Sequence, residues 1–303
     1  MPEPAPRGIL LVDKPGGMTS HDVVARARRA LDTRKIGHAG TLDPMATGLL
    51  VLGVGPATRL LTYIVGLDKT YEATIRLGVS TDSDDADGDE TARAAADAVA
   101  AVTRDRIEAG VAALTGEIDQ VPSRVSAIKV GGRRAYDLAR AGEEVELTAR
   151  RVTVSRFDVL GVRLVDTDAD GPLVDVDVVV DCTSGTYVRA LARDLGSDLG
   201  VGGHLTALRR TRIGPFGVSD AVTELAPDVE LMQDATVATA VLGTFEVTAD
   251  EARDLRHGKR LIGAASRLSR EHPAAIDPEG RLIGIVERRG EDVKSLMNMA
   301  VDA

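Results

Sequence analysis

Two stretches of strict period-two alternation constrain this chain more than any other feature. Residues 70 to 79 place Tyr71, Ala73, Ile75, Leu77 and Val79 on one face and Glu72, Thr74 and Arg76 on the other. Successive side chains of a strand point to opposite faces of a sheet, so the pattern dictates a half-buried strand. Val174, Val176, Val178 and Val180 alternate with Asp175 and Asp177 in the same way, and the turn residues Thr183-Ser184-Gly185 follow. The period then changes. Val188, Leu191, Ala192, Leu195 and Leu199 step at helical spacing, as do Val23, Val24, Ala27, Ala30 and Leu31 after the helix-start signature Thr19-Ser20-His21-Asp22. Arg26, Arg28 and Arg29 fall largely off that apolar stripe. The chain is therefore expected to be mixed α/β.

The remaining segments are less regular. Asp82 to Glu90 is acidic and poor in apolar residues and reads as a loop without chemistry, with an alanine-rich helical stretch behind it from Ala94 to Leu114. After Pro215 the pattern loosens, and Asp277-Pro278-Glu279-Gly280 reads as a turn between short strands, with Arg281 to Val286 the last. A small β-rich domain from about residue 235 onward fits a chain of 303 residues, long enough for two domains.

Composition excludes several classes of function. One cysteine, Cys182, cannot build a disulfide framework, and neither a signal segment nor an apolar run of about 18 residues is present. A cytoplasmic protein that does not insert in membranes is expected. The five histidines are scattered without metal-ligand spacing, and no phosphate-binding glycine loop is complete, so no metal and no nucleotide cofactor is expected. The net charge of -10 argues at first against a nucleic-acid ligand. Its distribution reverses that reading. Residues 1 to 80 hold ten basic and seven acidic residues and residues 121 to 160 hold eight and five, whereas residues 81 to 120 hold three and eleven. Acidity is segregated, which leaves room for a basic face.

Gly37 to Leu50, GHAGTLDPMATGLL, sets one carboxylate, Asp43, among glycines and small residues. Pro44 biases Asp43 away from the right-handed helical region. Two readings are open: a carboxylate mounted for catalysis, or a helix cap with proline at the first helical position.

Three more segments accompany it: GILLVDKPGGMTSHDVVARARRAL from Gly8, KTYEATIRLGVSTDSDDADG from Lys69 and CTSGTYVRALARDLG from Cys182. Together the four resemble the TruB family of tRNA pseudouridine-55 synthases over most of residues 8 to 215. The resemblance implies a pseudouridine synthase fold with a large, mainly antiparallel sheet flanked by helices, a catalytic domain over 8–230 and a C-terminal PUA-like RNA-binding domain over 235–303. It implies conversion of uridine to pseudouridine in the T-loop of tRNA, with Asp43 acting on a flipped-out nucleotide and Arg189, in Gly185-Thr186-Tyr187-Val188-Arg189, as its cationic partner. Tyr71 would stack on the base, Tyr187 and Leu208 would complete the uracil pocket, and His38 would fill the space the base vacates. Lys14, Arg209, Arg210 and Arg212 would meet phosphates. Residues 122 to 146, with Arg124, Lys129, Arg133, Arg134 and Tyr136, resemble the insertion that grips the RNA stem-loop. No cofactor and no guide RNA are implied, and the chain would act as a monomer.

Three rival readings have less support in the residues. A guide-dependent relative is disfavoured by Gly132 to Arg140, which resembles the protein-only branch. A tRNA-folding chaperone without chemistry sits poorly with Asp43, Tyr71 and Arg189 all present. A nuclease holding metal on Asp82 to Asp89 would have no helper histidines.

Overall fold

A computed structural model describes residues 5–123, 129–130, 133–134, 147–167 and 171–299. Apart from residues 122–123 and two short strands, the segment expected to grip RNA lies outside them, as do the side chains of Arg133 and Arg134. The strands run β1 (Gly8–Lys14), β2 (Ile36–Ala39), β3 (Thr47–Val54), β4 (Lys69–Leu77), β5 (Val79–Thr81) and β6 (Glu90–Arg93). They continue through β7 (Gly116–Gln120), β8 (Lys129–Val130), β9 (Arg133–Arg134), β10 (Arg150–Thr167), β11 (Gly171–Cys182) and β12 (Gly203–Ile213). The last are β13 (Phe216–Gly217), β14 (Thr244–Glu246), β15 (Ala274–Ile276), β16 (Leu282–Arg289) and β17 (Asp292–Asn298). The chain divides into two compact units, the first Met1–Pro44, Leu49–Gly66 and Gly214–Ala303, the second Met45–Gly48 and Leu67–Ile213.

In the first unit the helix Ser20–Ala30 begins where the sequence signals it. Thr19 accepts from the Asp22 amide and the Asp22 carboxylate accepts from the Thr19 amide at 2.9 Å, a reciprocal cap. Such a cap stabilises a helix by about 1 kcal/mol. The apolar stripe Val23, Val24, Ala27 and Leu31 packs into one core cluster with Leu10, Val12, Ile36, Leu50, Leu52 and Val54. A separate cluster built on Phe245, Leu255, Ile283 and Val293 fills the C-terminal part. There β14 runs parallel to β15, which continues antiparallel into β16 and β17.

In the second unit β12, β4, β11, β10 and β7 are antiparallel neighbours in that order. The alternation read from sequence is realised in β4, where Tyr71, Ala73, Ile75 and Leu77 are buried and Glu72 is exposed. The opposite face is polar across strands: Thr74 donates to Asp177 at 2.7 Å, and Arg76 holds Asp175 with two hydrogen bonds of 2.8 and 2.9 Å. Thr47 and Gly48 make the sheet mixed by running parallel to Arg209 and Arg210. Only glycine fits at position 48, because a Cβ there would lie 2.3 Å from the Arg210 carbonyl oxygen. The helix Val188–Asp198 follows β11 as expected. Its Gly196 lies against the backbone of Gly202 and Gly203, where a Cβ would come within 2.2 Å.

Two expectations change. The Ala94 to Leu114 stretch is two helices, Ala96–Ala100 and Arg104–Ala113, the second capped by Thr103. The acidic run is a loop with Asp82, Asp87 and Asp89 exposed, but its Ser83, Asp84 and Asp85 are buried.

Candidate active site

The two readings of Asp43 separate in the structure. No helix follows Pro44; the chain stays irregular until β3 begins at Thr47, so the capping reading falls. Instead the loop is clamped on both sides of the carboxylate. The buried Ser20 hydroxyl accepts from the Leu42 amide at 2.9 Å and donates to its carbonyl at 3.1 Å. The Pro44 carbonyl accepts from the Gly17 amide at 2.9 Å and from the Lys14 ammonium at 3.3 Å. These clamps fall on the backbone at Leu42 and Pro44, and the Asp43 side chain between them is half-buried.

Lys14 itself is fully buried, and it also donates to the carbonyls of Pro15 and Met18 at 3.0 and 2.8 Å. An ammonium held by these carbonyls braces the loop. His38 is displaced from the loop to strand β2, opposite Leu52, with its ring edge-on to His21 at 5.3 Å between centroids.

In the second unit Tyr71, Leu208 and Arg210 lie on the buried face of β4 and its neighbour β12. Tyr71 is paired with Arg210 on β12 and Val180 on β11, and Ala73 with Leu208 and Val178. Directly opposed residues in an antiparallel ladder share a face, so Tyr71, Leu208 and Arg210 stand together. Arg210, expected among the phosphate contacts, is 1% exposed. Arg209, the next residue, points to the other face, and its guanidinium reaches the Thr47 hydroxyl at 3.5 Å. Arg212 is tied to the polar face by Thr70, at 2.9 Å, and Asp181, at 3.4 Å.

Arg189 sits in the first turn of its helix, where a cation opposes the helix dipole. The compensation comes from the acidic run. Arg189 lies 3.2 Å from the Asp85 carboxylate, both side chains being about 95% buried, and donates to the Ser83 carbonyl at 2.7 Å. Arg193, one turn on, reaches Asp84 at 3.3 Å and the Val121 carbonyl at 2.7 Å. Sequence reasoning missed Asp85 because a run of acids reads as solvent-loving. The hint available was the composition of the helix, which sets two arginines four residues apart against its apolar stripe.

Lys69 was also missed. It lies on the same buried face, opposite Cys182 and Ile213, with its ammonium 2.5 Å from the Leu67 carbonyl. Burial first, and the charge of Arg210 second, push its pKa down from 10.5 to about 8. Between those values the unfolded chain holds the proton and the folded chain does not, so stability rises with pH across the window. Wild type is therefore expected to gain on Lys69→Met between pH 8 and 10 in urea melts. Curves that stay parallel would mean that no buried charge is relieved. Among the described residues no group of three or more His, Cys, Asp or Glu is arranged to hold a metal ion. No helix among them is long and apolar enough to cross a membrane.

The fold has solved counterparts. A chain in an H/ACA RNP bound to a substrate RNA containing 2'-deoxyuridine matches 97% of this chain and 86% of its own length with a TM-score of 0.68 at 23% identity. A chain of a Cbf5-Nop10-Gar1 complex matches with a TM-score of 0.65, covering 98% and 84%. At that identity the likeness defines the class of fold alone.

The sequence comparisons are narrower. Residues 28–188 match the TruB family pseudouridylate synthase N-terminal domain, 189–239 the tRNA pseudouridylate synthase B C-terminal domain, and 243–300 the tRNA pseudouridine synthase II C-terminal domain. A tRNA pseudouridine synthase B of Leifsonia xyli subsp. xyli is 55% identical over 97% of both chains, and one of Thermobifida fusca is 55% identical over 93% and 94%. The one from Arthrobacter sp. (strain FB24) is 53% identical over 97% and 96%. The chain belongs to the TruB family of pseudouridylate synthases, and is an isomerase.

Proposed function

We propose that this chain converts uridine to pseudouridine at position 55 in the T-loop of tRNA, acting alone as a cytoplasmic monomer without a guide RNA. The observation that carries the reading is the clamped loop, in which Ser20, Gly17 and Lys14 hold the backbone at Leu42 and Pro44 on either side of the half-buried Asp43. The isomerisation breaks the bond from C1' to N1, turns the uracil and joins C1' to C5, whose hydrogen leaves as a proton. No electrons enter or leave, so no redox cofactor is required. Asp43 serves it as a nucleophile at C1' or as a base at C2'.

The other roles follow from the same reading. Tyr71, on the buried face of β4, presents a ring for stacking on the extruded base, an interaction of about 1 to 3 kcal/mol per base. Leu208 and Tyr187 line the pocket, Arg189 is the cation of the reaction, and His38 occupies the place of the flipped nucleotide. Residues 8–230 form the catalytic part and 235–303 supply RNA affinity through a PUA-like domain. The names of the relatives and their nearly full-length similarity support tRNA as the substrate.

The test is release of tritium from a T-arm transcript carrying 5-tritiated uridine, since C5 must give up its hydrogen for the new bond. Tight binding without release would favour a chaperone that folds tRNA without modifying it. The RNA grip has its own test. Reversing Arg133 and Arg134 to glutamate is expected to weaken tRNA binding steeply at low salt and to flatten its salt dependence by about 1.4 in log-log slope, for two phosphate contacts on single-stranded RNA. Unchanged affinity would remove those residues from the interface.

A further inference from the structure

The helix that carries Arg189 begins without a cap of its own. Tyr187 is the residue at its N-terminal boundary, in extended conformation, and its side chain closes no hydrogen bond to the first turn. A side chain from a distant strand does that work. Gln120, the last residue of β7 and 2% exposed, accepts from the Tyr187 amide through Oε1 at 2.8 Å and donates through Nε2 to the Tyr187 carbonyl at 3.1 Å. The same carbonyl accepts the first helical bond, from Leu191 at 3.2 Å.

Both polar ends of one buried amide thus engage both polar groups of one residue. The arrangement reads orientation, because turning the amide over would set donor against donor and acceptor against acceptor. It fixes the main chain of Tyr187, whose ring and whose neighbour two residues on, Arg189, both figure in the proposed reaction. The grip is reinforced at the residue after Gln120, where the Val121 carbonyl accepts from Arg193. One strand end therefore holds the helix at its boundary and again on its second turn.

We infer that Gln120 is a positioning residue for the isomerisation, holding the Tyr187 backbone so that the Tyr187 ring and the Arg189 guanidinium stand where the uridine needs them. The inference rests on the proposed function for its catalytic consequence and on geometry alone for the hold on Tyr187. Gln120 touches no reacting atom. Its loss is therefore expected to lower the rate of conversion and to spare RNA affinity, since misplacing a reacting group by about 1 Å costs on the order of 100-fold.

The experiment compares the full-length wild type with Gln120→Met, which keeps the length and removes both hydrogen bonds, and Gln120→Glu, which keeps the acceptor and loses the donor. Single-turnover conversion of a T-arm transcript, affinity for the same RNA and hydrogen exchange of peptides covering residues 186 to 191 are measured for each. Expected for Gln120→Met is a cooperative melt, conversion slower by about 10- to 100-fold, RNA affinity within about threefold of wild type, and faster exchange confined to that peptide. Gln120→Glu should recover toward wild type as pH falls and protonation restores a donor, a response that the methionine variant cannot show.

A folded Gln120→Met that converts RNA at the wild-type rate overturns the inference, as does an equal loss in affinity and in rate. Unchanged exchange at residues 186 to 191 overturns the hold on Tyr187 whatever the activity. A wild type that releases no tritium overturns the proposed function and with it the catalytic consequence, and the exchange data still decide the hold.

Discussion

Asp43→Asn is expected to abolish tritium release from 5-tritiated uridine in a T-arm transcript, by about 10,000-fold or more, while leaving RNA binding in place. The amide is nearly isosteric with the carboxylate, but it neither attacks C1' nor takes a proton from C2' at neutral pH, and removal of an acting nucleophile costs on this order. The loop has reason to survive the change. Ser20, Gly17 and Lys14 bind the main chain at Leu42 and Pro44, on either side of Asp43. A variant that binds RNA, melts like wild type and still releases label at a comparable rate would remove Asp43 from the chemistry and move the search to another carboxylate.

The second large effect is expected at Arg189 and Asp85. Each side chain is about 95% buried and they stand 3.2 Å apart. Removing either partner unbalances a buried ion pair, which costs about 3 to 5 kcal/mol, whereas removing both takes the two charges away together. Arg189→Met and Asp85→Asn should each lower the urea midpoint severely, and the double variant should be more stable than the sum of the two losses predicts. Activity should not follow stability. The double variant is expected to remain slower than wild type by at least about 100-fold, because a preorganised cation is a large part of such a site's electrostatics. Arg189→Lys keeps the charge but not the planar fork, and should hold the fold better than it holds the rate. Strictly additive single losses would show that the two groups are not coupled.

The elements were legible wherever one periodicity acted alone. Tyr71, Ala73, Ile75 and Leu77 alternate because one face of β4 is apolar and the other carries Thr74 and Arg76 into cross-strand bonds with Asp177 and Asp175. The helix from Ser20 was readable to its first residue because hydroxyl and acid stand at the spacing of a reciprocal cap. Legibility failed where a residue's environment comes from elsewhere in the chain. The acids from Asp82 onward are polar in every local sense, yet Asp85 is buried, since the arginine that neutralises it lies more than a hundred residues on. Lys14 and Arg210 look like surface cations in sequence. One is enclosed by the carbonyls of Pro15, Met18 and Pro44, and the other is set on the buried side of β12.

The sequence by itself determined β4, β11 and the helices from Ser20 and Val188, the family and the residue types at the candidate site, because local spacing and motif order are written along the chain. Tertiary structure alone decided that Asp43 stands in a clamped loop and not at a helix start, that Asp85 answers Arg189, and that Gln120 holds Tyr187. The physical reason is common to all three. A buried polar group must be satisfied, and which distant group satisfies it is fixed only when the chain is folded.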